Sequence, residues 1–197
     1  MRRLVLSAVA IVVLGFPCFA DASTWKIDSA HSSAQFAVRH LMVSTVRGTL
    51  GKITGVVNLD EADLIKSSVE ASIDVAGIDT REPKRDEHLK SPDFFDAAKY
   101  PTITFKSKKV AKVGDAKFQV TGDLTMHGVT KEVVLDAEGS PKPFKDPMDN
   151  LKLGGVARTK VNRKDFGIQW NKAMDGGGVV VGDDVDVTID IELIKGD

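Results

Sequence analysis

The final stretch of the chain constrains the fold more than any other. Val185, Val187, Ile189, Ile191 and Leu193 alternate with Asp184, Asp186, Thr188, Asp190 and Glu192. Successive side chains of a strand point to opposite faces, so this segment has one aliphatic face and one polar face. Such a strand belongs in an antiparallel sheet with one side packed and the other in water. The same alternation recurs upstream. Ala34, Phe36 and Val38 oppose Ser33, Gln35 and Arg39, and Val69, Ala71, Ile73 and Val75 oppose Glu70, Ser72 and Asp74. Leu151, Leu153, Gly155, Ala157 and Val161 share a parity. Composition adds strands at about 43–59, 102–110, 117–126 and 131–138. The first of these carries Gly48, Gly51 and Gly55, which in a strand mark a bulge or sharp bend. There is no internal repeat and no domain linker. About eight antiparallel strands joined by short turns suit a barrel or a sandwich, and a barrel is favoured because no strand is conspicuously shielded as an edge.

One segment breaks the pattern. Between Ile78 and Tyr100 the chain turns polar and helical, an insert over about residues 80–99. Asp79 or Thr80 can cap a first short helix, and Ser91 followed by Pro92 a second. Pro101 ends the helical segment, and Thr102-Ile103-Thr104-Phe105 resumes the strand pattern. Phe94-Phe95 can anchor the insert to an apolar rim, so that the segment from Arg81 to Tyr100 covers one end of a barrel.

The beginning of the chain reads as an export signal. Met1-Arg2-Arg3 is basic, Leu4 to Phe16 is apolar, and Ala20-Asp21-Ala22 offers cleavage before Ser23, with a weaker site before Asp21. The apolar run is shorter than the roughly 20 residues of a membrane span. The expected division is residues 1–22 as signal peptide and 23–197 as one barrel domain, with a periplasmic destination and no transmembrane segment in the mature chain. Cys18 is the only cysteine and leaves with the signal, so the core alone must hold the mature protein. Loss of Arg2, Arg3 and Asp21 leaves a net charge of about −2 on mixed-sign surfaces, no field for nucleic acid. Lys106-Ser107-Lys108-Lys109 is the densest basic cluster and reads as a solvated strand face.

Catalytic and metal chemistry find little support. There is no G-x-S-x-G elbow, phosphate loop or dinucleotide fingerprint. His31 and Ser32 are adjacent, so on a strand they point apart. The four histidines, His31, His40, His88 and His127, lack zinc-ligand spacing and have no cysteine to help, so no metal is expected. Whether they do more than hydrogen-bond at strand ends is open from sequence.

Ordered motifs run through nearly all of the mature chain: Trp25-Lys26-Ile27-Asp28, Ala30-His31-Ser32, Phe36-Ala37-Val38-Arg39-His40, the insert with Arg85-Asp86-Glu87-His88-Leu89 and Asp93-Phe94-Phe95-Asp96, Gly122-Asp123-Leu124-Thr125-Met126-His127-Gly128-Val129-Thr130-Lys131, and Arg163-Lys164-Asp165-Phe166-Gly167-Ile168. The chain resembles the YceI-like family of lipid-binding periplasmic proteins. Leu50 departs from the pattern, where many members carry phenylalanine. The resemblance implies an all-β, extended eight-stranded antiparallel lipocalin-like barrel with a short helical insert. It also implies non-catalytic binding of a long-chain isoprenoid, a quinone-like molecule or a similar amphiphile, for transport, storage or sequestration in the envelope. No cofactor other than such a bound lipid is implied. The expected apolar lining is Phe36, Val38, Leu50, Ile73, Phe94, Phe105, Leu124, Val187 and Ile189, with Arg85 and His88 as a polar mouth. The alternative is a filled barrel with a structural or stress-related envelope role and no stable ligand, since an apolar strand face is ordinarily core. An envelope enzyme is a third option. Oligomeric state is open from sequence, a dimer being one option. A strand of ten residues rises about 33 Å, and at a tilt of about 40° the barrel stands roughly 25 Å tall. Each isoprene unit adds about 4–5 Å, so an extended eight-unit chain must bend or protrude.

Overall fold

The computed structural model describes residues 22–140, 142–175 and 177–196, so the export signal and Cys18 lie outside the described residues. The alternating segments pair into one antiparallel ladder that returns on itself. The chain starts as a long kinked hairpin. β1 (Ser23–Ile27) and β2 (Ser33–His40) form one arm, and β3 (Ser44–Thr49) and β4 (Ile53–Leu59) the other, with the turn at Leu41–Val43. A meander follows: β5 (Ser68–Asp74), β6 (Thr102–Gly114), β7 (Lys117–Met126) and β8 (Val129–Gly139). The two-residue β9 (Phe144–Lys145) edges β10 (Leu151–Asn162). The last strand, β11 (Val181–Lys195), pairs along one side with β10 and along the other with β2 and then β1. Counting each arm of the first hairpin as one kinked strand, eight strands close the ring, as the sequence leads one to expect.

Two sequence expectations need correction. The stretch 43–59 is two strands, broken at 50–52. Leu50 N–H donates to the Ala34 carbonyl at 2.8 Å, and Gly51 backs onto the β5 end so closely that a Cβ there would lie 2.1 Å from the Asp74 carbonyl oxygen. Gly55, at φ +153°, makes the matching close approach to Glu70. In the insert there is one helix, α1 (Pro83–Lys90), with proline in its first turn. Its cap is Glu82, whose carboxylate accepts from Lys84 N–H, because Pro83 sets the start. Ser91 closes α1 instead of opening a second helix. Its backbone N–H and hydroxyl both donate to the His88 carbonyl, and the chain turns back with Phe95 N–H on Leu89 and Ala97 N–H on Lys90.

In a meandering barrel alternate connections share an end. The β4–β5, β6–β7 and β8–β10 connections lie at one end. The insert, the β7–β8 turn, the β10–β11 connection and the β2–β3 turn lie at the other. The insert end is packed. Phe94, His88 and Trp170 cluster with ring centroids 5.0–5.2 Å apart. Arg163 is buried and donates to the carbonyls of Gly182, Ile168 and Trp170 at 2.8–2.9 Å, tying the turn after β10 to the start of β11. The lysines of the basic cluster on β6 pair across the outer face, Lys106 with Glu70 and Lys108 with Asp123 and Glu132. No helix among the described residues is long and apolar enough to cross a membrane.

Candidate functional site

The aliphatic rows point inward and do not meet. On β11, Val187, Ile189 and Ile191 all face the interior yet stay only half-buried. The same holds for Val57 on β4, Val120 on β7 and Ala137 on β8. An inward apolar side chain in a filled barrel touches neighbours on all sides. Here the side chains surround a cavity of about 330 Å³, within the range of small-molecule sites. Its lining is almost wholly aliphatic and aromatic. It extends to Leu59 at the end of β4 and Leu64 and Ser67 beyond it, to Phe118 on β7, and to Gly139 at the end of β8 and Ser140 beyond it, so it opens at the end opposite the insert. Exposed Ile65, Val113, Phe144 and Met148 occupy the connections of that end.

Six of the residues expected to form the lining do so: Leu50, Ile73, Phe105, Leu124, Val187 and Ile189. Phe36 and Val38 pair with Val187 and Val185 and share their face, but β2 carries them toward the insert end and neither reaches the cavity. Phe94 is buried under the insert, against His88 and Trp170. Arg85 and His88 also lie away from the lining. The Arg85 guanidinium donates to the hydroxyl and carbonyl of Thr80 at 2.7 and 2.8 Å, and Thr80 in turn bonds Asp86. His88 meets Asp93 at 2.8 Å. These contacts fasten the insert to itself. The insert does cover one end of the barrel, but the cavity opens at the other.

Several lining residues went unrecognised in the sequence. Phe118, Val120, Ala137 and Ala157 stand at inward parity on strands that were located, and parity could have named them. Val110 could not be found that way, because a bulge between Ser107 and Lys109 shifts the register and turns the parity over.

One polar cluster sits on the outer wall. Lys152, buried on β10, donates to Asp28 at 3.0 Å and Glu192 at 2.8 Å, and His31 meets Asp28 at 2.9 Å. Asp28, His31 and Glu192 are close enough to share a cation, but the Lys152 ammonium already supplies that positive charge. The hydrogen bonds from His31 and then Lys152 hold the Asp28 carboxyl well below the usual carboxylate range. The Asp28 carboxylate raises His31 above its ordinary value. The Glu192 hydrogen bond raises Lys152 against the cost of its burial.

The profile of the YceI-like domain matches residues 25–193. A UPF0312 protein of Vibrio cholerae is 38% identical over 173 residues, covering 86% of this chain and 90% of the relative. Among solved structures, Burkholderia cenocepacia BcnA superposes with a TM-score of 0.71 at 25% identity, over 84% of this chain and 98% of that one. A polyisoprenoid-binding domain from Saccharophagus degradans, implicated in plant cell wall breakdown, shares the fold with a TM-score of 0.62 at 13% identity, over 89% of this chain and 99% of that one. With a hollow eight-stranded barrel, a helical insert at one end and a domain match over nearly its whole described length, the chain belongs to the YceI-like family.

Proposed function

We propose that the barrel binds the apolar chain of an isoprenoid-type lipid or similar amphiphile, without catalysis, and carries or stores it in the cell envelope. The observation that supports this most is the half-exposed inner row of Val187, Ile189 and Ile191 facing an apolar cavity of about 330 Å³. Apolar burial is worth about 0.8 kcal/mol per methylene, so ten enclosed carbons return about 8 kcal/mol, comparable with the cost of association. The cavity is too small to enclose a long polyisoprenoid whole. Its open end lets the rest of such a chain lie outside. The fold-sharing Saccharophagus domain, described as polyisoprenoid-binding, is an analogy in the same direction. The export-like first 22 residues support a periplasmic site of action.

The test is native mass spectrometry of the protein released from a periplasmic extract of cells that make it, beside solvent extraction of the same sample. A discrete added mass, recovered in the extract as a lipid, is the expected result. A bare polypeptide mass after gentle release, together with failure to take up an added polyprenol, would favour the filled-barrel alternative.

A further inference from the structure

The barrel wall is not continuous. β8 and β10 are neighbours, but their ladder runs only from Asp136↔Arg158 to Gly139↔Gly155. From Val129 to Leu135 on β8, and from Thr159 to Asn162 on β10, no partner strand lies across the gap, although each strand stays paired on its other side. The gap is bounded at the insert end by the turn after β10, where His127 Nδ1 lies 3.1 Å from the Phe166 carbonyl oxygen. It holds a polar hollow of about 440 Å³. Thr159 and Val161 line both this hollow and the central cavity, so the two spaces meet there.

Lys131 lines the gap. It pairs with Leu124 of β7, and directly paired residues in an antiparallel ladder project to the same face. Leu124 lines the central cavity, so Lys131 belongs to the inner row of the wall. Lys106, Lys108 and Lys160 sit in outer rows and pair with acids, whereas Lys112, opposite the lining residue Phe118 near the open end, is a second inner-row lysine with no ion pair among the described residues. Lys131 makes no ion pair among the described residues. Thr159, an inner-row residue of β10, stands at the far end of the gap beside Leu135, where the ladder stops. Glu132, Asp136 and Asp165 also border the gap, with Glu132 engaged by Lys108 and Asp136 by Gln119.

We propose that the unpaired stretch between β8 and β10 is a side window through which the acidic head group of a bound amphiphile, a carboxylate or phosphate, meets Lys131. The apolar chain then lies along the barrel toward the open end. This places the head group in the wall, although the open end would be the simpler exit. The inference rests on the lipid-binding reading, and its test separates the two.

The probes are pyrene-labelled hexadecanoic acid and the corresponding alcohol, titrated into the protein freed of lipid. The alcohol reports the cavity alone. The acid adds the head group, and a charge-assisted hydrogen bond to a partly solvated lysine gives it an advantage of about tenfold. Lys131→Ala is expected to bring the acid-to-alcohol affinity ratio close to one, and Lys131→Arg to keep it. The double variant Lys142→Ala, Lys145→Ala, at the open end, is expected to keep the ratio. Equal binding of both probes by the unaltered protein, or a ratio that survives Lys131→Ala, overturns the window. A ratio lost in the Lys142, Lys145 variant instead moves the head group to the open end and overturns it as well. If neither probe binds, the lipid-binding reading itself falls, and the window with it.

Discussion

The two halves of the barrel are built from the same alternating strands and end up in opposite states. At the insert end Phe166 and Val75 are almost fully buried, the aromatic rings of Phe94, His88 and Trp170 interlock, and the buried Arg163 guanidinium spends its donors on main-chain carbonyls. In the other half Val120, Ala137, Ile189 and Ile191 face a hollow. Alternation therefore specifies the wall and says nothing about whether the space inside is filled. Connections decide that. A 3-10 turn (Arg163–Phe166) and the insert supply the bulk that plugs one end, whereas the connections of the other end, with their own 3-10 turn at Leu64–Lys66, border the cavity without filling it.

The sharpest way to break this comparison is to truncate one large side chain in each half. Phe166→Ala is expected to lower the unfolding free energy by about 3–5 kcal/mol, the cost of a new cavity in a close-packed site. Ile189→Ala is expected to cost about 1 kcal/mol, because its methyl groups border a space that is already open. Urea unfolding of the apo forms measures both, and equal losses would show that the halves are packed alike. A smaller effect concerns the insert. Arg85→Ala removes two hydrogen bonds to Thr80 and is expected to cost about 1–2 kcal/mol while leaving the lipid off-rate unchanged. A faster off-rate at an unchanged urea midpoint would instead make the insert a gate. The smallest effect is on pH. His31 has a folded-state value raised by Asp28, so its stabilisation is complete below its ordinary value of 6.5 and is lost as pH rises through the raised one. Asp28 is depressed, so its contribution is present above the usual carboxylate range and is lost only in strong acid. The urea midpoint is expected to drift down slightly as pH rises above the ordinary histidine value of 6.5, and His31→Gln to remove the drift. His31 is 64% exposed, which keeps the effect small. An unchanged drift in the variant would assign it to other groups.

Much of this was legible in the residues. The parity of Val187 and Ile189 placed them on the inner face, and the polar break after Ile78 located the insert. What parity could not show was how far each inner row extends into the hollow. Phe36 and Val38 carry the same signal as Val187, but the kink after Ile27 and the pairing of β2 with the first half of β11 put them beyond the cavity. Arg85 and His88 looked available because their partners, Thr80 and Asp93, are local and polar, a pattern that in sequence does not distinguish a fastened group from a free one. The break between β8 and β10 is not legible in the sequence, because polar Lys131 and Thr159 at inner parity interrupt the alternation but only the divergence of the strands in space leaves them unpaired.

The central claim is that the barrel is hollow where its wall is aliphatic. Ala137 stands at inward parity on β8, half-buried, and Ala137→Trp adds a large apolar side chain there without adding charge. The decisive measurement is the urea midpoint of the variant after lipid removal, beside the lipid content of the variant as purified, by native mass spectrometry. A hollow barrel accepts the indole, so the midpoint is expected to hold or rise while bound lipid falls. A lowered midpoint corresponding to a loss of about 1–3 kcal/mol of unfolding free energy, the cost of overpacking a full core, with lipid content unchanged, would contradict the account.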